Sequence, residues 1–597
     1  MFQTFDVTAR PDQGPPRLAA LRAELTALGL DGMIVPRADA HQGEYVAARD
    51  ARLAWLTGFT GSAGFCVALT DIAGVFVDGR YRTQVKAQVA ADFTPVPWPD
   101  IRLHDWLKDK LPAGGKVGFD PWLHTIQEIE MTRAALEGTG IQLVPLDGNP
   151  VDRIWTDRPA PPSAPVRAHP LEFAGESAAD KRARLAAVVQ AAGHRAAALT
   201  LPDSIMWLLN IRGSDVEHNP VAQGFAILHD NGDVDLFMAP EKLDGLGDHL
   251  GAGVTVHDPD AFLEAVGALP GPVRLDRGSA PWLLADRLGD RAAMGEDPCV
   301  MPKAVKNKAE IAGAAAAHLR DGAAMVELLA WLDAQAPGTT SEIDVVKKLE
   351  LCRRQDNALQ EISFDTISGS GPNGAIMHYR VTEETDRTLQ EGELLVLDSG
   401  GQYLDGTTDI TRTIAIGAPP REAAEAFTRV LQGMIAMSRL IWPKGLAGRD
   451  IEAIGRMPLW LAGQDFNHGL GHGVGAYMSV HEGPQRLSRV STVPLEPGMI
   501  LSNEPGYYRE GAFGIRIENL LVVEPAPDLP TADPEREMLT WMTLTYVPID
   551  RRLIVVDMLT RAERGWLDTY HADVARLIGP RVGDQARLWL DAATQPL

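Results

Sequence analysis

The sequence predicts a mixed α/β protein in three parts, two related α/β units followed by a larger strand-rich unit. Three observations carry this. Helical and strand periodicities alternate through the first half, a tryptophan–glycine pattern occurs twice at one spacing, and a long capped helix near residue 307 opens a stretch of strands and glycine-rich turns. At 597 residues the chain is too long for a single hydrophobic core. The length prior gives about three to four units.

Taken in order, Leu18, Leu21, Leu25 and Leu28 recur at helical spacing, so Leu18 to Leu30 is expected to be an amphipathic helix. The apolar run Gly32-Met33-Ile34-Val35 follows as a strand. Phe65 to Tyr81 alternates strand and turn signals, and Pro99-Asp100 opens a helical stretch, Ile101 to Leu111. A first unit, 1–158, should end at the proline-rich RPAPPSAPVRAHP, Arg158 to Pro170, which suits a linker. The second unit, 171–305, echoes the first. Trp55-Leu56 before Gly61-Ser62 is matched by Trp207-Leu208 before Gly213-Ser214, both at a spacing of 152 residues (55 to 207, 61 to 213). Each pair is trailed by strand, turn and strand, which points to a duplicated α/β domain.

Asn307 and Glu310 form an N-x-x-E cap that opens an alanine-rich helix running to about Ala336 and starts the third unit, 306–597. Another capped helix follows Thr340-Ser341, and from Phe364 strands and glycine-rich loops take over. After Val523 the proline-rich EPAPDLPTADP precedes a strand, Leu544 to Ile549, and a helix opened by the capping box Thr560 to Glu563. This extension, about 538–597, is too short to stand alone and should pack on the third unit.

Composition narrows the function. With 45% hydrophobic and 23% charged residues the chain is an ordinary globular protein, and no run is long enough to cross a membrane. Its net charge of -24, from 80 acidic against 56 basic residues with no long basic block, argues against nucleic acid as a partner. The N-terminal MFQTFDVTARPDQGPPRLAAL lacks the basic and apolar regions of a secretory signal, so a cytoplasmic protein is expected. Cys66, Cys299 and Cys352, odd in number and far apart, read as reduced, packed thiols.

The stretch Glu393 to Arg412, ELLVLDSGGQYLDGTTDITR, carries the chemistry. Asp398 ends an apolar strand, and Asp409 follows eleven residues later. A carboxylate in apolar surroundings is costly unless it is paired, hydrogen-bonded or metal-bound. If the two segments pair as a hairpin both acids face one side, with Asp409, Thr411 and Thr413 sharing a face. Asp405, beside Gly406, is only a turn residue. Glu504 in PGMILSNEPGYY closes another apolar strand, and Glu518 in FGIRIENLLVV sits within a strand whose face Arg516 shares, fourteen residues on. One such acid is ordinarily a salt-bridge partner; four need a shared one. His468, His472 and His481 lie in the glycine-rich HGLGHGVGAYMSVHEGP. A lone histidine is more often structural than a ligand. Four carboxylates with one imidazole suit a pair of divalent ions, and an oxygen-rich set leans toward Mn²⁺, with Zn²⁺ or Co²⁺ as alternatives.

These segments resemble a known family. DSGGQYLDGTTDITRT, HGLGHGVG, VHEGP, NEPGYY and GIRIENL are similar to the signature segments of the pita-bread metallopeptidases, specifically the three-domain Xaa-Pro aminopeptidases (aminopeptidase P). WLTGFTGSAG and VDGRY resemble that family's first domain, WLLNIRGSDVEHNP its second and RDGAAMVELLAWL the start of its catalytic one. The resemblance implies two tandem creatinase-N-like α/β domains before a pita-bread catalytic domain. It implies Asp398, Asp409, His472, Glu504 and Glu518 as metal ligands, with Asp409 and Glu518 bridging two ions, Asp398 on one ion, and His472 and Glu504 on the other. His378, His468 and His481 match the family's non-ligand catalytic histidines, and Glu504 its general base. Arg516 matches an arginine behind the ligands; its face gives it a second reading, a counter-charge for Glu518. The implied activity is hydrolysis, by a hydroxide bridging the ions, of the bond between an N-terminal residue and a proline at position two. A homodimer is implied as well.

Within the fold, prolidase, acting on Xaa-Pro dipeptides, is the nearest alternative, and the two domains ahead of the catalytic unit favour the aminopeptidase. Creatinase works without metal, whereas all five ligand positions are filled here. A non-catalytic binding protein of the same fold is disfavoured by the intact ligands and the lack of basic tracts.

Overall fold

Two six-stranded sheets organise residues Thr8–Val300, one of two units in the computed structural model, which describes all 597 residues. The first sheet contains β1 (Gly32–Pro36), β2 (Phe65–Leu69), β3 (Ala73–Val77), β4 (Thr94–Pro97), β5 (Gly115–Phe119) and β6 (Ile141–Pro145), in the order β4-β3-β2-β1-β5-β6. The second contains β7 (Ala196–Leu199), β8 (Phe225–His229), β9 (Val234–Phe237), β10 (Val254–His257), β11 (Val273–Leu275) and β12 (Ala292–Met294), in the order β10-β9-β8-β7-β11-β12. The two orders are the same when each sheet is counted from its own first strand. Strand senses also agree, since β1 and β7 each run antiparallel to the strand that follows and parallel to the fifth. The duplication expected from the repeat is therefore present. Trp55-Leu56 and Trp207-Leu208 sit in matching helices, Arg52–Thr57 and Pro202–Leu209, each between the first and second strand of its sheet.

Apolar runs fix the central strands. β1 is buried at every residue, as its GMIVP sequence requires of a strand covered on both faces. The first helix, Gly14–Ala27, buries Leu18, Leu21 and Leu25 and starts ahead of the expected Leu18 because Pro15 and Pro16 are tolerated in its first turn. Leu28 caps it and faces solvent. The second helical expectation is met by Leu103–Lys110.

The other unit combines Met1–Val7 with Met301–Leu597. Its first long helix, α1 (Lys308–Asp333), opens with the Asn307–Glu310 capping box, and α2 (Glu342–Arg353) opens on Ser341. An antiparallel sheet of β13 (Ile367–Ser370), β14 (Leu394–Ser399) and β15 (Ile410–Ala415) follows. Alternation divides its faces: Leu395, Leu397, Ile410 and Ile414 pack with Met325, Leu328 and Leu329 of α1, leaving Asp398, Thr411 and Thr413 on the opposite side. A six-stranded sheet contains β16 (Trp442–Pro443), β17 (Gly471–Gly473), β18 (Glu482–Leu487), β19 (Ile500–Asn503), β22 (Asn519–Pro525) and β23 (Met538–Thr543), in the order β16-β23-β22-β19-β17-β18. Between its strands β19 and β22 stands a hairpin, β20 (Gly506–Arg509) with β21 (Phe513–Arg516). Helices α3 (Arg421–Ser438), α4 (Gly448–Trp460) and α5 (Arg561–Ile578) contribute to a core that includes Phe427, Leu459, Trp442, Leu501, Leu521 and Leu567.

Two expectations shift. The late strand is Met538–Thr543, and Leu544 to Ile549 is irregular though mostly buried. Val547 N–H donates to the Tyr570 hydroxyl and Ile549 N–H to His571 Nε2, so side chains of α5 replace a neighbouring strand. Glu518 lies in the two-residue link between β21 and β22 rather than inside a strand.

Candidate metal centre

Backbone pairing brings the four acids to one place. Asp398, near the end of β14, sits opposite Thr411, and Asp409 immediately precedes β15. Asn503 pairs with Asn519 across β19 and β22, so Glu504 and Glu518, the next residues outward, emerge at the same edge. Glu518 N–H donates to the Thr411 carbonyl at 3.1 Å and so joins the two sheets at this point. Ligand atoms of Asp409, His472 and Glu518 all lie within 4.8 Å of one another. His472 Nε2 is 3.4 Å from Asp409 Oδ2 and 3.7 Å from Glu504 Oε1.

His472 is oriented by its other ring nitrogen. Nδ1 stands 3.0 Å from the Gly473 carbonyl, which can only accept, so Nδ1 carries the hydrogen and Nε2 turns to the carboxylates. The His472 N–H donates to Ser502 Oγ at 3.0 Å, fixing the short strand β17 against β19.

Three of the carboxylates show one held oxygen and one bare oxygen. Asp398 Oδ2 accepts from Arg516 Nη2 at 2.5 Å, Glu518 Oε2 accepts from Thr411 Oγ1 at 2.8 Å, and Asp409 Oδ2 faces His472. Their partners Asp398 Oδ1, Glu518 Oε1 and Asp409 Oδ1 are buried without a hydrogen bond. A buried anion oxygen without a donor is expensive, and a cation is its natural complement. Burial raises the proton affinity of Asp398, Glu504 and Glu518, and the charge of Asp409 raises each further. Burial disfavours charge on His472, but its hydrogen bond with Asp409 and the charge of Glu504 outweigh this and raise its pKa to about 9. The set holds too much negative charge for its own cations, and hard oxygen donors with one imidazole fit divalent metal ions.

Arg516 corrects one expectation. It pairs with Asp398, not Glu518, and also donates to the Met377 carbonyl at 3.3 Å and to the Tyr508 hydroxyl at 2.6 Å. Tyr508 did not stand out in the sequence beyond its place in NEPGYY. Its hydroxyl lies 2.9 Å from His468 Nε2, while His468 Nδ1 meets the Gly469 carbonyl at 2.7 Å. The tautomer therefore has Tyr508 donating to His468, and a polar chain runs from Asp398 through Arg516 and Tyr508 to His468. His468 Nδ1 is 4.0 Å from Glu504 Oε2, and the His481 ring meets the His472 ring edge-on at 4.4 Å. His378 follows Met377, whose carbonyl Arg516 holds. Asp405, the expected turn residue, pairs with Arg320 of α1.

Residues 312–525 match metallopeptidase family M24, residues 17–154 and 157–310 each match a creatinase/prolidase N-terminal domain, and residues 537–597 match the C-terminal region of peptidase M24. A probable Xaa-Pro aminopeptidase P of Talaromyces stipitatus is 37% identical over 97% of this chain and 92% of its own length. Aminopeptidase P2 of Arabidopsis thaliana is 37% identical over 96% of this chain and 86% of its own. The crystal structure of an X-prolyl aminopeptidase from Caenorhabditis elegans, described as a cytosolic enzyme with a di-nuclear active site, superposes with a TM-score of 0.94 at 33% identity, covering 98% of this chain and all of that one.

Proposed function

The chain belongs to metallopeptidase family M24, in the branch that holds the Xaa-Pro aminopeptidases P, and from that footing we propose that it removes the N-terminal residue from peptides with proline at position two. The observation that carries this is the convergence of Asp409, Glu518 and His472 within 4.8 Å, with bare buried oxygens on Asp398, Asp409 and Glu518. We assign Asp398, Asp409, His472, Glu504 and Glu518 as the residues that would hold two divalent ions, of which Asp409 and Glu518 would be shared by both. Manganese is the metal we favour, on the oxygen-rich donor set.

Such ions supply Lewis acidity toward a carbonyl oxygen and lower the pKa of a water. The chain's own groups do the rest. Glu504 receives the proton of the attacking water, and His468, whose Nδ1 lies 4.0 Å from Glu504, ends the polar chain beside it. His378 and His481 contact the substrate and steady the charge that develops on its carbonyl oxygen. Arg516 holds Asp398 and so fixes one wall of the site. A bond to proline has no N–H, so recognition cannot use that donor and must rest on the free amine and the ring.

The deciding experiment strips the metals and returns Mn²⁺. Turnover of an Xaa-Pro-Xaa tripeptide should vanish and come back; no turnover after reconstitution refutes the enzyme reading. Preference for an Xaa-Pro dipeptide would shift the assignment to prolidase. The same reading includes three domains, at 1–158 (apart from Met1–Val7, which group with the third), 171–305 and 306–597, together with a homodimer, which light scattering tests, and a cytoplasmic location. No helix is long and apolar enough to cross a membrane.

A further inference from the structure

We propose that the N-terminal segment Gln3–Asp6 is a strap that positions His378 for the reaction. This rests on the catalytic reading of His378 given above. Residues Met1–Val7 group with Met301–Leu597 and not with the residues that follow them in the chain. Gln3 is buried, and its amide makes two bonds to one residue, donating to the Thr366 carbonyl at 3.2 Å and accepting from Thr366 N–H at 2.8 Å. That pair sets the register of the segment. Phe5 then packs on Ile343, Val346, Ile367, Tyr379 and Val381.

The strap grips the segment that carries His378. The Phe5 carbonyl accepts from Glu383 N–H at 2.9 Å. Arg380 donates to the carbonyls of Thr4 at 2.8 Å and Asp6 at 2.9 Å, and its remaining nitrogen pairs with Asp365 at 2.7 Å. On the other side of His378, the Met377 carbonyl accepts from Arg516 Nη2, the nitrogen that also holds Asp398. His378 is thus strung between the metal centre and the strap. The buried Glu342 carboxylate closes the base of the same loop, accepting from Ser370 N–H, the Asn373 amide and the Tyr379 hydroxyl. With Glu342 fixing one side, loss of the strap frees the other, and a displacement of about 1 Å is enough to cost a large factor in rate.

A variant lacking residues 2–6 and the milder Gln3→Ala and Arg380→Gln variants test this, with the metal-loaded wild type on a tripeptide as reference. Expected for the deletion is a fall in kcat of about 10- to 100-fold with metal content unchanged. In a His378→Ala background the same deletion should cost less than about 2-fold, because the group it positions is gone. Amide hydrogen exchange at 377–383 should speed up in the deletion and in Arg380→Gln. The strap role is overturned by unchanged exchange and kcat, or by an equal loss in the His378→Ala background, which would mark general destabilisation. If the deletion fails to fold, Gln3→Ala and Arg380→Gln decide by the same criteria. A wild type that does not turn over refutes the function reading alone, and the exchange measurement still decides the strap.

Discussion

Buried charge is handled differently in the two units. Within Thr8–Val300 each buried cation has acceptors of its own: Lys242 pairs with Asp215, Arg52 with Asp152 and Asp50, Lys181 donates to the Trp207 carbonyl and Asn210 Oδ1, and Arg212 donates to the Met206 and Ile211 carbonyls. At the metal centre four acids crowd together, Arg516 answers Asp398, and bare oxygens remain on three of them. Buried cations with acceptors at hand serve architecture, and a crowd of carboxylates that outnumbers its cations marks a place for ions from solution.

The hardest test of that contrast is Asp409→Asn. The amide keeps the shape and loses the charge that both ions would share. Metal content should fall together with activity, the latter by more than about 1000-fold if several kcal/mol of transition-state stabilisation depend on the ions. Elemental analysis beside turnover measures both, and full activity in this variant removes Asp409 from the bridging role.

Next is Lys242→Met, which leaves Asp215 buried without its cation. Breaking a buried pair from one side costs about 3 to 5 kcal/mol. Denaturant unfolding should register this loss, while turnover per folded molecule stays at the wild-type level. A drop in turnover with stability intact would erase the distinction between the two kinds of buried charge.

A third probe is acid. His571 is buried in α5, and burial together with the nearby charges of Arg412 and Arg551 lowers its pKa to about 3. As pH falls below the unfolded value near 6.5, the unfolded chain takes up a proton that the folded protein refuses, so stability is lost from there down to about pH 3. By pH 5 the loss from this group is about 2 kcal/mol. His571→Gln, which keeps an acceptor for Ile549 N–H, should flatten the slope of unfolding free energy against pH; an unchanged slope assigns the acid sensitivity elsewhere.

Much of the fold could be read in the sequence because its signals are local. The duplicated sheets announce themselves through a tryptophan and glycine spacing, and the capping boxes at Asn307 and Thr560 open helices where expected. Asp398, Glu504 and Glu518 stood out because each touches an apolar run where a carboxylate is costly, and Asp409 by its hairpin-like spacing from Asp398. Long-range partners left no such mark. Arg516 shares a strand parity with Glu518, yet its side chain reaches Asp398, 118 residues away. The stretch Leu544 to Ile549 has strand-like burial, but Tyr570 and His571 take its hydrogen bonds. Nothing in MFQTFD signals that Gln3 meets Thr366.

Asp405 offers the smallest effect and the cleanest control. It lies four residues before Asp409 on the same excursion of chain, so a general acidic patch would treat the two alike. Its geometry separates them. Asp405 occupies the turn between Tyr403 and Gly406, partly open to solvent, and Arg320 of α1, more exposed still, answers its charge. A partly exposed pair of this kind contributes up to about 1 kcal/mol. Asp405→Asn should therefore lower stability by no more than that and leave metal content and turnover untouched. If metal binding falls in this variant as it does in Asp409→Asn, the centre depends on summed negative charge along the loop, and the assignment of individual ligands gives way to a diffuse electrostatic trap.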